Sequence, residues 1–128
     1  MDGSVSSVKN GFRFDLRLHR EEAKWKFLLT VKNHEPRAQL IKFRSGQLVD
    51  FVIEKDGQRV WAWSAGQMFV QMLREQRLSE GESLGPYMAE WDERDVAGQR
   101  VPSGHYQLRA YFFGVSRIDP VVETDLSW

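Results

Sequence analysis

In Phe12-Arg13-Phe14-Asp15-Leu16-Arg17-Leu18 every second residue is apolar and its neighbours are polar. Successive side chains of an extended chain point to opposite faces, so this segment predicts a strand with one buried and one wet face. The same period returns in Trp25-Lys26-Phe27-Leu28-Leu29-Thr30-Val31, after a break at Arg20-Glu21-Glu22, and the two predict an antiparallel hairpin. Asn33-His34-Glu35-Pro36 closes the second strand, because Pro36 removes a donor and restricts Glu35. Further strands are expected over residues 39–43, 48–54, 59–63, 84–91 and 105–113. Lys55-Asp56-Gly57-Gln58 joins two of them as a hairpin turn, since Gly accepts the positive φ that such turns need. One segment departs from this period. Met68, Phe69, Met72 and Leu73 recur at helical spacing in a stretch free of Gly and Pro. They predict a short helical segment near residues 67–74 at an end of the sheet, with a strand as the alternative. About seven to eight short strands, with turn signals every 8 to 12 residues or so, predict an all-β, antiparallel β-sandwich.

This sandwich spans residues 12–120. Residues 1–11, polar and Ser-rich, are expected to be a flexible N-terminal segment, and residues 121–128 a C-terminal tail or an edge strand. A length of 128 residues fits one domain. Lys and Arg number 18 against 18 Asp and Glu. This balance argues against nucleic acid, whose binders carry a basic excess to neutralise phosphates. The sequence has no cysteine, which removes disulfides, thiolate metal sites and thiol nucleophiles. An aromatic content of 12% points to a packed core. No apolar run reaches the roughly 18 residues that a bilayer span needs, so no membrane partner is expected. The first ten residues lack the basic patch and apolar stretch of a signal peptide, and a cytoplasmic location is expected.

Catalytic patterns are missing. His19, His34 and His105 lie far apart, without metal-ligand spacing. Asp92-Glu93-Arg94-Asp95 opens like a calcium loop, but Arg94 and Val96 occupy ligand positions and no Gly stands sixth. It is read as a solvated charged loop. There is no Gly-x-Ser-x-Gly elbow, and Ser64 is read as a turn hydrogen-bonder. Glu54, Asp56, Glu90 and Asp92 are available carboxylates, yet nothing places two of them across a cleft. No enzyme activity and no cofactor are therefore expected. Trp61 and Trp63 share a strand face and would suit a sugar platform; the same spacing serves two core positions of a sandwich, which is the reading preferred. Trp25, Trp91 and Tyr106 are assigned to the core likewise, and Trp128 to the surface.

Several of these segments together resemble the BsuPI-type intracellular proteinase inhibitors, a family of small bacterial Ig-like β-sandwich domains. The resemblance runs through Asn33, Phe43-Arg44-Ser45-Gly46-Gln47, Asp50-Phe51-Val52 and Val60-Trp61-Ala62-Trp63-Ser64. It continues in Gly66-Gln67-Met68-Phe69, Leu78-Ser79-Glu80-Gly81-Glu82-Ser83-Leu84, Trp91 and Val101-Pro102-Ser103-Gly104-His105-Tyr106-Gln107-Leu108. It implies inhibition of an intracellular subtilisin-like serine protease, without a cofactor; a rigid exposed loop, its ordering entropy already lost, would achieve this non-covalently. It carries over no reactive bond, so the loop is chosen from the residues themselves. The first candidate is Ser64-Ala65-Gly66-Gln67-Met68, with Met68 entering an apolar pocket. The alternative is a plain strand connection with Met68 and Phe69 buried beneath it. The second candidate is Asp95-Val96-Ala97-Gly98, in the long polar stretch 92–100. Two rival functions stay open: an Ig-like interaction or assembly module that inhibits nothing, and a carbohydrate-binding module using Trp61, Trp63 or Trp91. The oligomeric state is left open as well.

Overall fold

Alternating burial is what the backbone delivers. From β2 (Phe12–Glu21), the side chains of Phe12, Phe14, Leu16 and Leu18 are buried. From β3 (Lys24–Asn33), Trp25, Phe27, Leu29 and Val31 are buried in the same way. The computed structural model describes residues 2–128. It contains ten strands, all paired antiparallel, and no helix among those residues. The other strands are β1 (Asp2–Lys9), β4 (Gln39–Ser45), β5 (Val49–Lys55), β6 (Gln58–Ala62), β7 (Gln71–Leu78), β8 (Ser83–Trp91), β9 (His105–Phe112) and β10 (Val122–Ser127). They form one four-stranded sheet ordered β1-β2-β3-β8, a second ordered β10-β9-β5-β6, and a ribbon of β4 with β7.

The sheets meet face to face through rings. Phe14 lies against Phe112 at 5.9 Å, Phe27 stacks on Phe51 at 6.0 Å, and Trp91 meets Tyr106 edge-on at 6.0 Å between centroids. Each contact joins a strand of one sheet to a strand of the other, the arrangement of a β-sandwich. Tyr106 also donates its hydroxyl to the Pro102 carbonyl at 2.6 Å, tying the loop before β9 to the core.

Several expectations need correction. The helical segment near 67–74 does not form: residues 71–78 are β7, paired with β4 from Gln39↔Leu78 to Ser45↔Gln71. A helical stripe needs a surface to bury itself against. Met72 and Leu73 find none and stay exposed, while β4 offers the backbone a ladder. Residues 2–9, placed in a flexible segment, pair with β2 along their whole length from Asp2↔His19 to Lys9↔Phe12. Of the two options for residues 121–128, the strand forms, at the edge beside β9. Trp128 is not left at the surface either. It is half-buried, stacked on Tyr106 at 4.8 Å and edge-on to Trp91 at 5.6 Å.

Candidate functional site

The first candidate loop begins where β6 ends. Trp63 N–H donates to the Phe51 carbonyl at 2.9 Å, so the chain leaves the sandwich beside the start of β5. There the buried Asp50 carboxylate accepts three donors: the Phe51 amide at 2.9 Å, the Ser64 amide at 3.1 Å and the Ser64 hydroxyl at 2.6 Å. Ser64 is thus the turn hydrogen-bonder expected of it. The turn closes through Ala65 N–H to the Ala62 carbonyl and Gln67 N–H to the Ser64 carbonyl, at 3.0 and 3.1 Å. Gly66 takes a φ of 79°, which a residue with a Cβ adopts only at a cost. The Gln67 side chain donates back to the Trp63 carbonyl at 2.8 Å. Phe69 rests on the Trp63 ring at 5.9 Å.

Above this framework Met68 projects with 97% of its surface accessible. The alternative with Met68 buried beneath the loop is therefore overturned, and Phe69 is only half-buried. The Met68 side chain is thus presented between two anchored neighbours without support of its own.

The second candidate, Asp95 to Gly98, is a self-capped turn. The Asp95 carboxylate accepts the amides of Ala97 at 3.0 Å and Gln99 at 2.9 Å, and Val96 N–H donates to the Val60 carbonyl of β6 at 3.3 Å. Among the described residues, no hydrogen bond or ring contact joins the two loops, so they are separate features. Beside this turn, Glu93, expected in a solvated charged loop, is instead buried. Its carboxylate accepts Arg20 Nε at 2.6 Å, Arg20 Nη2 at 3.2 Å and the Trp25 indole N–H at 2.9 Å. A buried charge held by a bidentate guanidinium is a structural clamp on the β2–β3 hairpin.

Trp61 and Trp63 are half-buried against the core, with Trp61 beside Trp91 at 6.1 Å. Each ring rests against another, Trp61 on Trp91 and Trp63 on Phe69. A shallow depression lined by His19, Glu21, Glu22, Lys24, Lys26 and Glu90 is the nearest approach to a gathering of acids. Two of its three carboxylates are already engaged, Glu90 by Lys24 at 3.3 Å and Glu21 by His19 at 3.4 Å. His34 and His105 are exposed and lie on other elements.

Two features beside the first loop escaped the pattern of the sequence. Asp50 sits inside an apolar strand, and only the tertiary fold brings Ser64 opposite it. The other is β7, which carries exposed Met72 and Leu73 directly after the Met68 loop. Behind it, Arg74 lies over the Phe43 ring at 5.9 Å.

Residues 12–117 match the model of the BsuPI family, described as intracellular proteinase inhibitor. No curated protein matches the chain. Among solved structures it is similar to DesR, a β-glucosidase from Streptomyces venezuelae in complex with D-glucose, at 16% identity and a TM-score of 0.46. That match covers 99% of this chain and 15% of the enzyme.

Proposed function

Since this chain belongs to the BsuPI family of intracellular proteinase inhibitors, we propose that it blocks a subtilisin-like serine protease of the cytoplasm non-covalently, with the loop Ser64-Ala65-Gly66-Gln67-Met68. One observation carries this reading. Met68 is fully presented on a loop whose two ends are fastened, by Asp50 to Ser64 and by Trp63 to Phe69. Affinity for a protease cleft depends on how much ordering the bound segment still has to undergo. A loop anchored before binding has lost that freedom already. Its backbone can then pair with the enzyme's edge while one side chain fills a pocket. The unbranched, apolar Met68 suits an apolar specificity pocket. No group of the inhibitor takes part in chemistry.

Titration of a purified subtilisin-like protease with the domain tests this directly. Activity is expected to fall to zero near equimolar inhibitor. Met68→Asp is expected to weaken inhibition by about 100-fold or more, the range of an anchor residue truncated at an interface. Its thermal midpoint should not move, because an exposed side chain contributes little to stability. Full protease activity in the presence of excess intact domain would overturn the reading and favour an assembly module. A loss of inhibition from Val96→Asp, with Met68→Asp silent, would move the contact to the second loop.

A further inference from the structure

The ribbon that follows the Met68 loop concentrates charge of one sign. On a chain with equal numbers of acidic and basic residues, β4 and β7 together carry Lys42, Arg44, Arg74 and Arg77 against Glu75 alone. Lys42 reaches Glu75 at 4.0 Å. Among the described residues, no carboxylate stands within ion-pair distance of Arg44, Arg74 or Arg77. The ribbon also leaves strand edges open. β7 pairs with β4 alone, so its far side offers unpaired amides and carbonyls. Within the ribbon β4 likewise pairs only with β7, whereas the edges of the two four-stranded sheets are guarded. β8 holds Pro86, and β6 lies beside the Val96 amide. β1 is tied to the residues just before β10 by the Ser7 hydroxyl on the Val121 carbonyl and Lys9 Nζ on the Pro120 carbonyl. β7 has no proline, and its Leu73 is 85% exposed at the rim of a shallow groove of about 590 Å³ shared with Lys42, Arg44 and Glu75.

We propose that β7 is a second arm of the inhibitory contact, accepting an extended acidic segment of the protease as an added strand. This rests on the inhibitory reading given above. Main-chain pairing supplies the edge contact, Leu73 and its groove take an apolar side chain, and the arginines meet the acidic neighbours. Continuity argues for the same partner. Only Phe69 and Val70 separate Met68 from β7, and the Gly46 amide holds the Val70 carbonyl at 2.8 Å, so loop and strand are presented as one extended run.

The test is the rate of association with a subtilisin-like protease across a salt series, with hydrogen exchange of residues 71–77 in the complex as a second readout. Arg44→Glu combined with Arg77→Glu, both exposed, is expected to slow association about tenfold at low salt and to flatten its salt dependence. Arg17→Glu with Lys26→Glu, on the outer face of the other sheet, should change neither. Exchange in β7 should slow on binding. Should the double variant unfold, Leu73→Asp serves in its place, with a tenfold rise in the inhibition constant expected. Unchanged rate, salt slope and β7 exchange, with inhibition intact, would overturn the ribbon's part alone. Absence of inhibition by the unaltered domain would overturn the inhibitory reading and the second arm with it.

Discussion

The Asp50 carboxylate holds Ser64 twice, by its hydroxyl at 2.6 Å and its amide at 3.1 Å, across fourteen residues of chain. One buried acid thus fixes the base of the most exposed apolar loop. Asp50→Ala strips three donors of their acceptor and is expected to lower stability by about 2 kcal/mol, read from denaturant unfolding. Ser64→Ala keeps the amide contact and should lower it by only about 1 kcal/mol. Both should weaken protease inhibition by more than the stability loss explains, since the loop would have to be ordered on binding. Equal inhibition by Asp50→Ala and the unaltered domain would remove the loop's rigidity from the mechanism.

Glu93 gives the second prediction. Its carboxylate is buried between Arg20 and the Trp25 indole. Glu93→Ala takes away both contacts and is expected to destabilise by about 3 kcal/mol, the scale of removing one member of a buried pair. Glu93→Gln retains an acceptor and should fall between. Inhibition by the folded fraction should be unaltered, because the Met68 loop makes no contact with this clamp.

The pairing of β1 should depend on pH in both directions. The Asp2 carboxylate meets His19 across the strands, which holds the His19 imidazole above its ordinary 6.5 and the Asp2 carboxyl below its ordinary 3.8. Protonated His19 therefore favours the paired strand, and this contribution fades as pH rises through the elevated His19 value. Ionised Asp2 does the same from the acidic side, and its contribution fades as pH falls through its lowered value. Backbone exchange protection in β1, corrected for intrinsic rates, is expected to be highest between about pH 4 and 6.5. His19→Gln should flatten the alkaline arm. A profile identical in that variant would exclude the pair as its cause.

Gly114 follows β9 where there is no room for a side chain. A Cβ there would lie 2.3 Å from Ile41 Cγ2 and 2.9 Å from the rings of Phe43 and Phe112. Gly114→Ala should therefore cost about 2 kcal/mol or more through overpacking where the ribbon meets the sandwich. Thermal unfolding measures it; an unchanged midpoint would mean the ribbon shifts freely on the core.

Much of this protein was legible because alternation is a local property. Phe12 to Leu18 and Trp25 to Val31 are strands in the structure with the inward faces that their spacing predicts. The Asp56-Gly57 turn has the positive φ values of 51° and 79° expected of it. A similar signal at Asn10-Gly11, with φ of 53° and 81°, announces β1. The polar, Ser-rich composition of residues 2–9 masked it, because that strand buries little and is held mainly by its ladder with β2.

The order of polar and apolar residues, by itself, determined the all-β class, most strands, the aromatic core and, through a resemblance across most of the chain, the family. Tertiary structure alone decided the remainder. Whether 71–78 would be helix or strand depended on β4 being available to pair, and the strand it forms leaves Met72 and Leu73 exposed. The same holds for Asp50 and Glu93. A carboxylate's burial and its partners are set by residues 14 and 73 positions away, and no local period records which distant donors will converge on it.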